Sequence, residues 1–198
     1  MNELFSIQLQ NQQQSRDGVW LDLPTTTEQV QAALRQIGIS SDNPQGLFIS
    51  GYFAEEEKRF AISYNMVLAS NVDELNFLAS RLETLSTGER AELNAALQAP
   101  QSELFSIGRI TDFPENVDYY VHLPDVHGPA QLGDYYLNRS GMVDMPEEWK
   151  GGIDTAQFGR YVAQQEQGAF TQYGYLVKSG DAWQKVHESQ PVPEEYRV

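Results

Sequence analysis

The chain has no cysteine, so neither a disulfide framework nor a zinc–thiolate site is open to it. Long apolar runs are also missing. No stretch approaches the roughly 20 residues that a membrane span needs. The opening MNELFSIQLQ has no basic stretch followed by an apolar one, so no signal peptide is expected. The expected compartment is the cytoplasm, where the triplet Asn138-Arg139-Ser140 carries no glycosylation meaning. Basic residues are scarce, with 13 Lys and Arg against 28 Asp and Glu, a formal net charge of -15. Nucleic acids and anionic membranes attract proteins through Lys and Arg that neutralise phosphates. Direct nucleic-acid binding is therefore not expected. With three histidines and no nucleophile-elbow pattern, a hydrolytic triad has no support. No glycine loop of the phosphate-binding kind occurs, and no repeat of fixed period is visible.

What is present is an ordinary folded composition carrying an unusual charge. The 198 residues are 40 % apolar and 21 % charged, enough to build a real core. The acids are spread out: five against two bases over residues 1–50, eight against four over 51–100, and fifteen against seven over 101–198. Within Asp112 to Asp154 nine acids face only Arg139 and Lys150. A disordered acidic tail is one continuous block. Here single carboxylates alternate with apolar residues, which places charge on the outside of folded elements. Such a surface serves solubility, or it attracts a basic partner.

The periodicities predict an α+β chain in three parts. In the first, Phe5, Ile7 and Leu9 alternate with polar neighbours and read as a strand, with Gln10 to Ser15 as a polar loop. Val19, Leu21 and Leu23 form one face of a second strand, which Pro24 ends. Thr25 and Glu28 have capping-box spacing for a helix bearing Val30, Ala33, Leu34 and Ile37, with Gly38 as its stop. Asn43-Pro44-Gln45-Gly46 reads as a turn and Leu47 to Phe53 as a third strand. The middle part is helical. Asn71 and Glu74 cap a helix with Leu75, Leu78, Ala79, Leu82 and Leu85 on one face. Ser86 and Glu89 cap the next, with Leu93 and Leu97 inside, and a short helical turn is expected around Ser106 to Ile110. In the third part Val117, Tyr119, Val121 and Leu123 alternate as a strand. Pro129 opens a helix with Leu132, Tyr135 and Tyr136, which Gly141 ends. Asp154 and Gln157 cap a helix with Phe158, Tyr161 and Val162. Ala169 to Lys178 reads as a last strand, and the segment from Gln190 as a loose tail.

Four stretches resemble a known family. Gly18-Val-Trp-Leu-Asp-Leu-Pro24 is similar to a segment in the first domain of ArdA antirestriction proteins. LNFLASRLETL, Leu75 to Leu85, resembles the helix that opens their middle domain. YYVHLPDV from Tyr119, LGDYYLNRSG from Leu132, and IDTAQFGRYVAQQEQGAFTQYGYL from Ile153 resemble their third domain. The resemblance implies an elongated chain of three small domains, expected here at 1–64 (α+β), 65–111 (helical) and 112–180 (α+β), with 181–198 as tail. Short antiparallel sheets are expected in the outer two. It implies a homodimer, not an enzyme and without cofactor, whose carboxylates imitate DNA phosphates and occupy the DNA-binding groove of type I restriction-modification enzymes. Duplex DNA carries one charge per about 1.7 Å, so two copies at -15 each match about 15 base pairs, or about 50 Å. The carboxylates expected to face the partner are Glu55, Glu56, Glu57, Asp73, Glu74, Asp112, Glu115, Asp118, Asp125, Asp134, Asp144, Glu147, Glu148 and Asp154.

Other readings compete. An acidic adaptor for a different basic protein would share the charge. His122, Asp125 and His127 have metal-ligating side chains, but Asp125 and His127 fall in a turn while His122 ends a strand, and no fourth ligand is indicated, so no metal is expected. Glu55-Glu56-Glu57 lies beside Lys58 and Arg59 and reads as a solvated turn. Tyr119, Tyr120, Tyr135 and Tyr136 have the spacing of core residues rather than of a base-stacking platform.

Overall fold

A computed structural model describes residues 3–13, 17–40 and 45–198. In chain order, the first elements are β1 (Phe5–Asn11), β2 (Val19–Leu23), α1 (Thr27–Gln36), β3 (Leu47–Phe53), α2 (Tyr64–Leu68) and α3 (Val72–Glu83). Then come α4 (Thr87–Gln98), α5 (Ile107–Thr111), β4 (Tyr120–Leu123) and α6 (Pro129–Asp134), which runs into a π-helical turn at Tyr135–Arg139. The last are α7 (Glu147–Lys150), α8 (Thr155–Glu166), β5 (Ala169–Thr171) and β6 (Gly174–Lys178). The fold is α+β, with two small antiparallel sheets. Among the described residues no helix is long and apolar enough to cross a membrane. Where the sequence suggested three parts in series, the contacts gather the chain into two compact units. The first takes residues 1–86, 104–115 and 184–198, and the second 87–103 and 116–183.

In the first unit the strands lie in the order β2-β1-β3. The alternation of β1 buries Phe5, Ile7 and Leu9, and β2 buries Leu21 and Leu23. The helix cap falls one residue later than expected. Thr26 and Gln29 form the capping box of α1, because Thr25 is buried and held elsewhere: its N–H donates to Asn76 Oδ1 at 2.8 Å and its carbonyl accepts from Asn76 Nδ2 at 3.0 Å. That pair ties the entry of α1 to the middle of α3. Asn71 Oδ1 accepts the Glu74 N–H at 2.9 Å and starts α3. Leu75, Leu78, Ala79 and Leu82 are fully buried, and each such leucine stabilises by about 1.5–3 kcal/mol. Gly38, at φ +74, lies just past α1. Of the expected turn near Asn43, Asn43 and Pro44 lie outside the described residues, while Gly46 takes φ +95. Gln10 and Asn11 extend β1 rather than opening a loop, and Gln14 and Ser15 lie outside the described residues.

The expected loose tail is instead packed. Residues 184–198 belong to the first unit, and Tyr196 and His187 both set their rings against Phe77, with centroids 5.1 Å away.

In the second unit the strand order is β4-β6-β5. The expected strand from Val117 is shorter and opposite in phase. Val117–Tyr119 is a 3-10 turn closed by the Tyr119 N–H on the Asn116 carbonyl at 3.0 Å, so the strand begins at Tyr120. Tyr120 points inward and Val121 is 45 % exposed. The single strand expected over Ala169 to Lys178 is a hairpin, β5 and β6, with Gly174 at φ +118 in its bend. The core gathers Val126, Leu132, Ala163 and Tyr175, with Tyr135, Tyr136 and Val162 packed against it. In α8 the fully buried positions are Gly159 and Ala163, and Tyr161 is 60 % exposed. The small residues face inward because α6 and α8 cross backbone to backbone. A Cβ on Gly133 would lie 2.8 Å from the Thr155 carbonyl carbon.

Candidate acidic interaction surface

The expected carboxylates divide by burial. Glu55, Glu56 and Glu57 are exposed on a short 3-10 turn, Glu56–Lys58, that follows β3. Lys58 pairs with Glu55 at 3.0 Å. Glu56 and Glu57 make no hydrogen bond or ion pair with a described side chain. Asp73 and Glu74 stand half-buried in the first turn of α3, where carboxylates favour the helix dipole. Burial pushes the Asp73 carboxyl above its usual range, against the opposing pull of the Val198 N–H and Arg197.

Two of the expected residues are structural. Asp112 is 0 % exposed, and its carboxylate accepts the His187 N–H at 2.5 Å and the Glu188 N–H at 3.2 Å. It is therefore not a surface charge. The sequence shows only an acid at the end of a helical turn, and the partner that buries it lies 75 residues away. Glu115 is half-buried and ion-paired with Arg81.

The second unit carries the rest. Asp118, Asp125, Asp144, Glu147, Glu148 and Asp154 are exposed, and Asp134 is half-buried. Asp134 pairs with Arg139 at 3.3 Å and Glu147 with Lys150 at 2.7 Å. Asp154 stays exposed while it caps α8, accepting the Ala156 and Gln157 N–H groups at 2.9 and 3.0 Å. Asp144 to Asp154 thus form a connection rich in acids between the π-helical turn and α8. That connection also carries Trp149, 69 % exposed, and follows Met142, 74 % exposed. Sequence reasoning passed over these two apolar side chains. Their signal was present, since neither fits the apolar period of a neighbouring helix.

The structure also adds carboxylates that the sequence reading left out. Glu3, Asp17, Asp22, Glu28, Asp181, Glu194 and Glu195 are exposed. Glu92 on α4 is the opposite case. Its Oε1 is buried without a hydrogen-bond partner among the described residues, and burial, then the charges of Asp118 and Glu89, push its carboxyl up to about 8.

Among the described residues no group of three or more His, Asp or Glu side chains gathers in a way that could hold a metal ion. His122 Nε2 lies 2.7 Å from the Tyr173 carbonyl, and Gln131 Oε1 accepts the His127 backbone N–H at 2.7 Å. Tyr135 and Tyr136 pack on the core of the second unit as their spacing suggested, whereas Tyr120 is buried against the expected strand phase.

Against known families, the sequence model described as antirestriction protein (ArdA) matches residues 13–177. The chain belongs to the ArdA antirestriction family. The match takes in β2 to β5 and every helix from α1 to α8, while β1 lies before its start. It stops before Lys178, so the segment 184–198 that packs on Phe77 lies beyond it. No curated protein matches the chain. Membership gives this ArdA protein an antirestriction role.

Proposed function

We propose that this ArdA protein is a DNA mimic that inhibits type I restriction-modification enzymes by occupying their DNA-binding groove, acting as a cytoplasmic homodimer. The observation that carries the reading is that each unit displays carboxylates without an ion-pair partner among the described residues: Glu56 and Glu57 in the first, and Asp125, Asp144 and Glu148 in the second, are all exposed, in a chain whose net charge is -15. A folded scaffold holds such charges at fixed spacings, as a duplex holds its phosphates. A groove lined with Lys and Arg meets the same electrostatic pattern in either ligand. Dimerisation supports the scale, because one chain supplies about half the charge of a 15-base-pair footprint. Each exposed ion pair contributes only about 0–1 kcal/mol, so affinity comes from many contacts and no single acid dominates.

The test is displacement of labelled DNA from purified type I enzymes. The protein should compete with DNA, and raising salt should weaken both complexes as the screening length falls from about 10 Å at 0.1 M. The combined Asp125, Asp144, Glu147 and Glu148 to Lys variant should compete at least about tenfold less well, while each single change costs little. Failure of the wild-type protein to displace DNA from several type I enzymes refutes the reading. Binding to a basic protein without competition from DNA would support an acidic adaptor instead. Sedimentation that finds only monomer at micromolar concentration removes the homodimer.

A further inference from the structure

The first unit contains a groove between α3 and α5 that is filled from a distance. Its occupant is the chain's own segment Gln184–Val198, which returns after the whole second unit has been completed. Three kinds of contact hold it. The buried Asp112 carboxylate, at the end of α5, takes two successive backbone N–H groups, those of His187 and Glu188. Arg109, on α5 and itself 8 % exposed, pairs through Nε with Glu188 Oε1 at 3.0 Å and lays its guanidinium 4.5 Å above the Phe105 ring. Phe77 on α3 receives His187 on one side and Tyr196 on the other. The fit over α5 is close. A Cβ on Gly108 would lie 3.1 Å from the Glu188 Cα.

Among the described residues, the backbone-to-backbone hydrogen bonds of the segment are local. Gln190 bonds to His187, Tyr196 to Pro193 and Arg197 to Glu194. Its attachment to the body runs through side chains: Asp112, Arg109, Phe77, and Asp73 on the Val198 N–H. Beside it a cavity of about 480 Å³ stays open, lined by Met66, Phe77, Phe105, Ile107, Glu188 and Val192 among others. The segment thus roofs an apolar pocket. It also lies past the end of the ArdA match at residue 177.

We propose that α3 and α5 form a peptide-binding groove whose ligand is the chain's own C-terminal segment, and that this segment acts as a latch, opening as one unit without unfolding the β1–β3 sheet. The ligand class is set by the groove: two consecutive main-chain N–H groups for Asp112, a carboxylate for Arg109, and ring partners for Phe77. A buried carboxylate that loses two donors is disfavoured, so the three anchors engage and release together. With the latch open, Phe77, Phe105 and Ile107 line an exposed apolar groove. The inference stands apart from DNA mimicry, since the segment that fills the groove lies beyond the family match.

Hydrogen exchange on the full-length protein tests it. In the wild type the amides of His187 and Glu188 should be protected, yet exchange faster than the amides of β1. Asp112→Asn should speed exchange across 186–190 by about tenfold, because one side-chain amide cannot accept both N–H groups as the carboxylate does. Glu188→Gln, which keeps the shape and removes the charge, should speed it by about threefold. In both variants β1, β2 and β3 should exchange as in the wild type. Three results overturn the latch. These are wild-type segment amides exchanging as in a free peptide, segment and sheet opening with one shared free energy, or neither variant changing the exchange of 186–190.

Discussion

Gly159→Ala is the most discriminating perturbation of the second unit, because two effects predict opposite signs. Gly159 sits inside α8, where alanine is the better helix former by about 1 kcal/mol. If α8 were an ordinary surface helix, the substitution would stabilise. The crossing with α6 predicts the reverse. A Cβ at 159 would lie 2.7 Å from the Pro129 carbonyl carbon and 2.8 Å from the Gly133 nitrogen, and closer still to the Pro129 carbonyl oxygen. These are backbone atoms, so no rotamer change relieves the overlap and the helices must move apart. Overpacking of a close-packed core costs about 1–3 kcal/mol, and a rigid backbone obstacle belongs at the top of that range. The net expectation is a loss of about 2 kcal/mol. At about 2–4 °C per kcal/mol for a chain of this size, the melting temperature should fall by about 4–8 °C. Differential scanning calorimetry measures it. Gly88→Ala is the control. It lies near the start of α4, where a Cβ meets nothing within 4 Å, and the variant should be neutral or slightly stabilised. An unchanged or higher melting temperature for Gly159→Ala would refute the backbone-to-backbone crossing. The crossing also matters for function, since α6 and α8 bracket the connection carrying Asp144, Glu147, Glu148 and Asp154. The same variant should lose inhibitory potency beyond its loss of folded protein.

Three further outcomes follow from named groups. Glu92, raised to about 8 by burial and by its acidic neighbours, holds its proton in the folded state and loses it in the unfolded chain. Its contribution to stability is complete below about 4.5, falls as pH rises, and is gone above about 8. Glu92→Gln should therefore match the wild type near pH 5 and exceed it at pH 9 by about 1–2 kcal/mol, after allowance for solvent around the partly exposed carboxyl, as read from urea unfolding at the two pH values. Equal stability differences at both pH values would contradict that. Trp149→Ala should leave the melting temperature unchanged, because the side chain is 69 % exposed, yet weaken DNA competition by about tenfold, since an exposed tryptophan beside charges is a typical anchor at a protein interface. Asp112→Lys should cost about 3–5 kcal/mol by leaving an unpaired charge inside the first unit. Asp118→Lys, on the exposed side of a 3-10 turn, should cost almost nothing in the same melting assay.

Much of the fold was legible because local rules governed it. Asn71 and Asp154 each accept the N–H that their spacing announced, and the alternation of Phe5, Ile7 and Leu9 is a buried strand face. What was not legible depended on distant partners. Thr25 is held through its backbone by Asn76, 51 residues on, and the cap falls to Thr26. Asp112 was read as surface charge because its donors lie in a segment taken for a loose tail. The face of α8 was misread for a related reason: aromatic residues at helical spacing suggest a core, whereas a close crossing selects glycine and alanine, and only α6 reveals that crossing. The strand phase near Tyr119 failed because a 3-10 turn consumed three residues of the alternation.

The burial of Asp112 bears on how charge should be counted in a protein proposed to imitate a polyanion. The formal value of -15 treats all carboxylates alike. The fold does not. Asp112 is sealed inside the first unit, Glu115 and Glu188 are engaged by Arg81 and Arg109, and Glu92 keeps its proton at neutral pH. Those acids consume or cancel charge for the sake of the fold, and a partner does not meet them. Conversely, Glu194 and Glu195 ride on a segment that Asp112 and Arg109 hold in place. A buried acid thus fixes the position of two exposed ones. The surface a restriction enzyme would meet is therefore set by two populations of carboxylate, one that builds the scaffold and one that is displayed on it. Reversing members of the first should destroy folding without informing on recognition. Reversing Asp125, Asp144, Glu147 and Glu148, which belong to the second, should change recognition with the scaffold intact, if the mimicry proposal holds. A charge-reversal series that ignores this division would average the two effects and report neither.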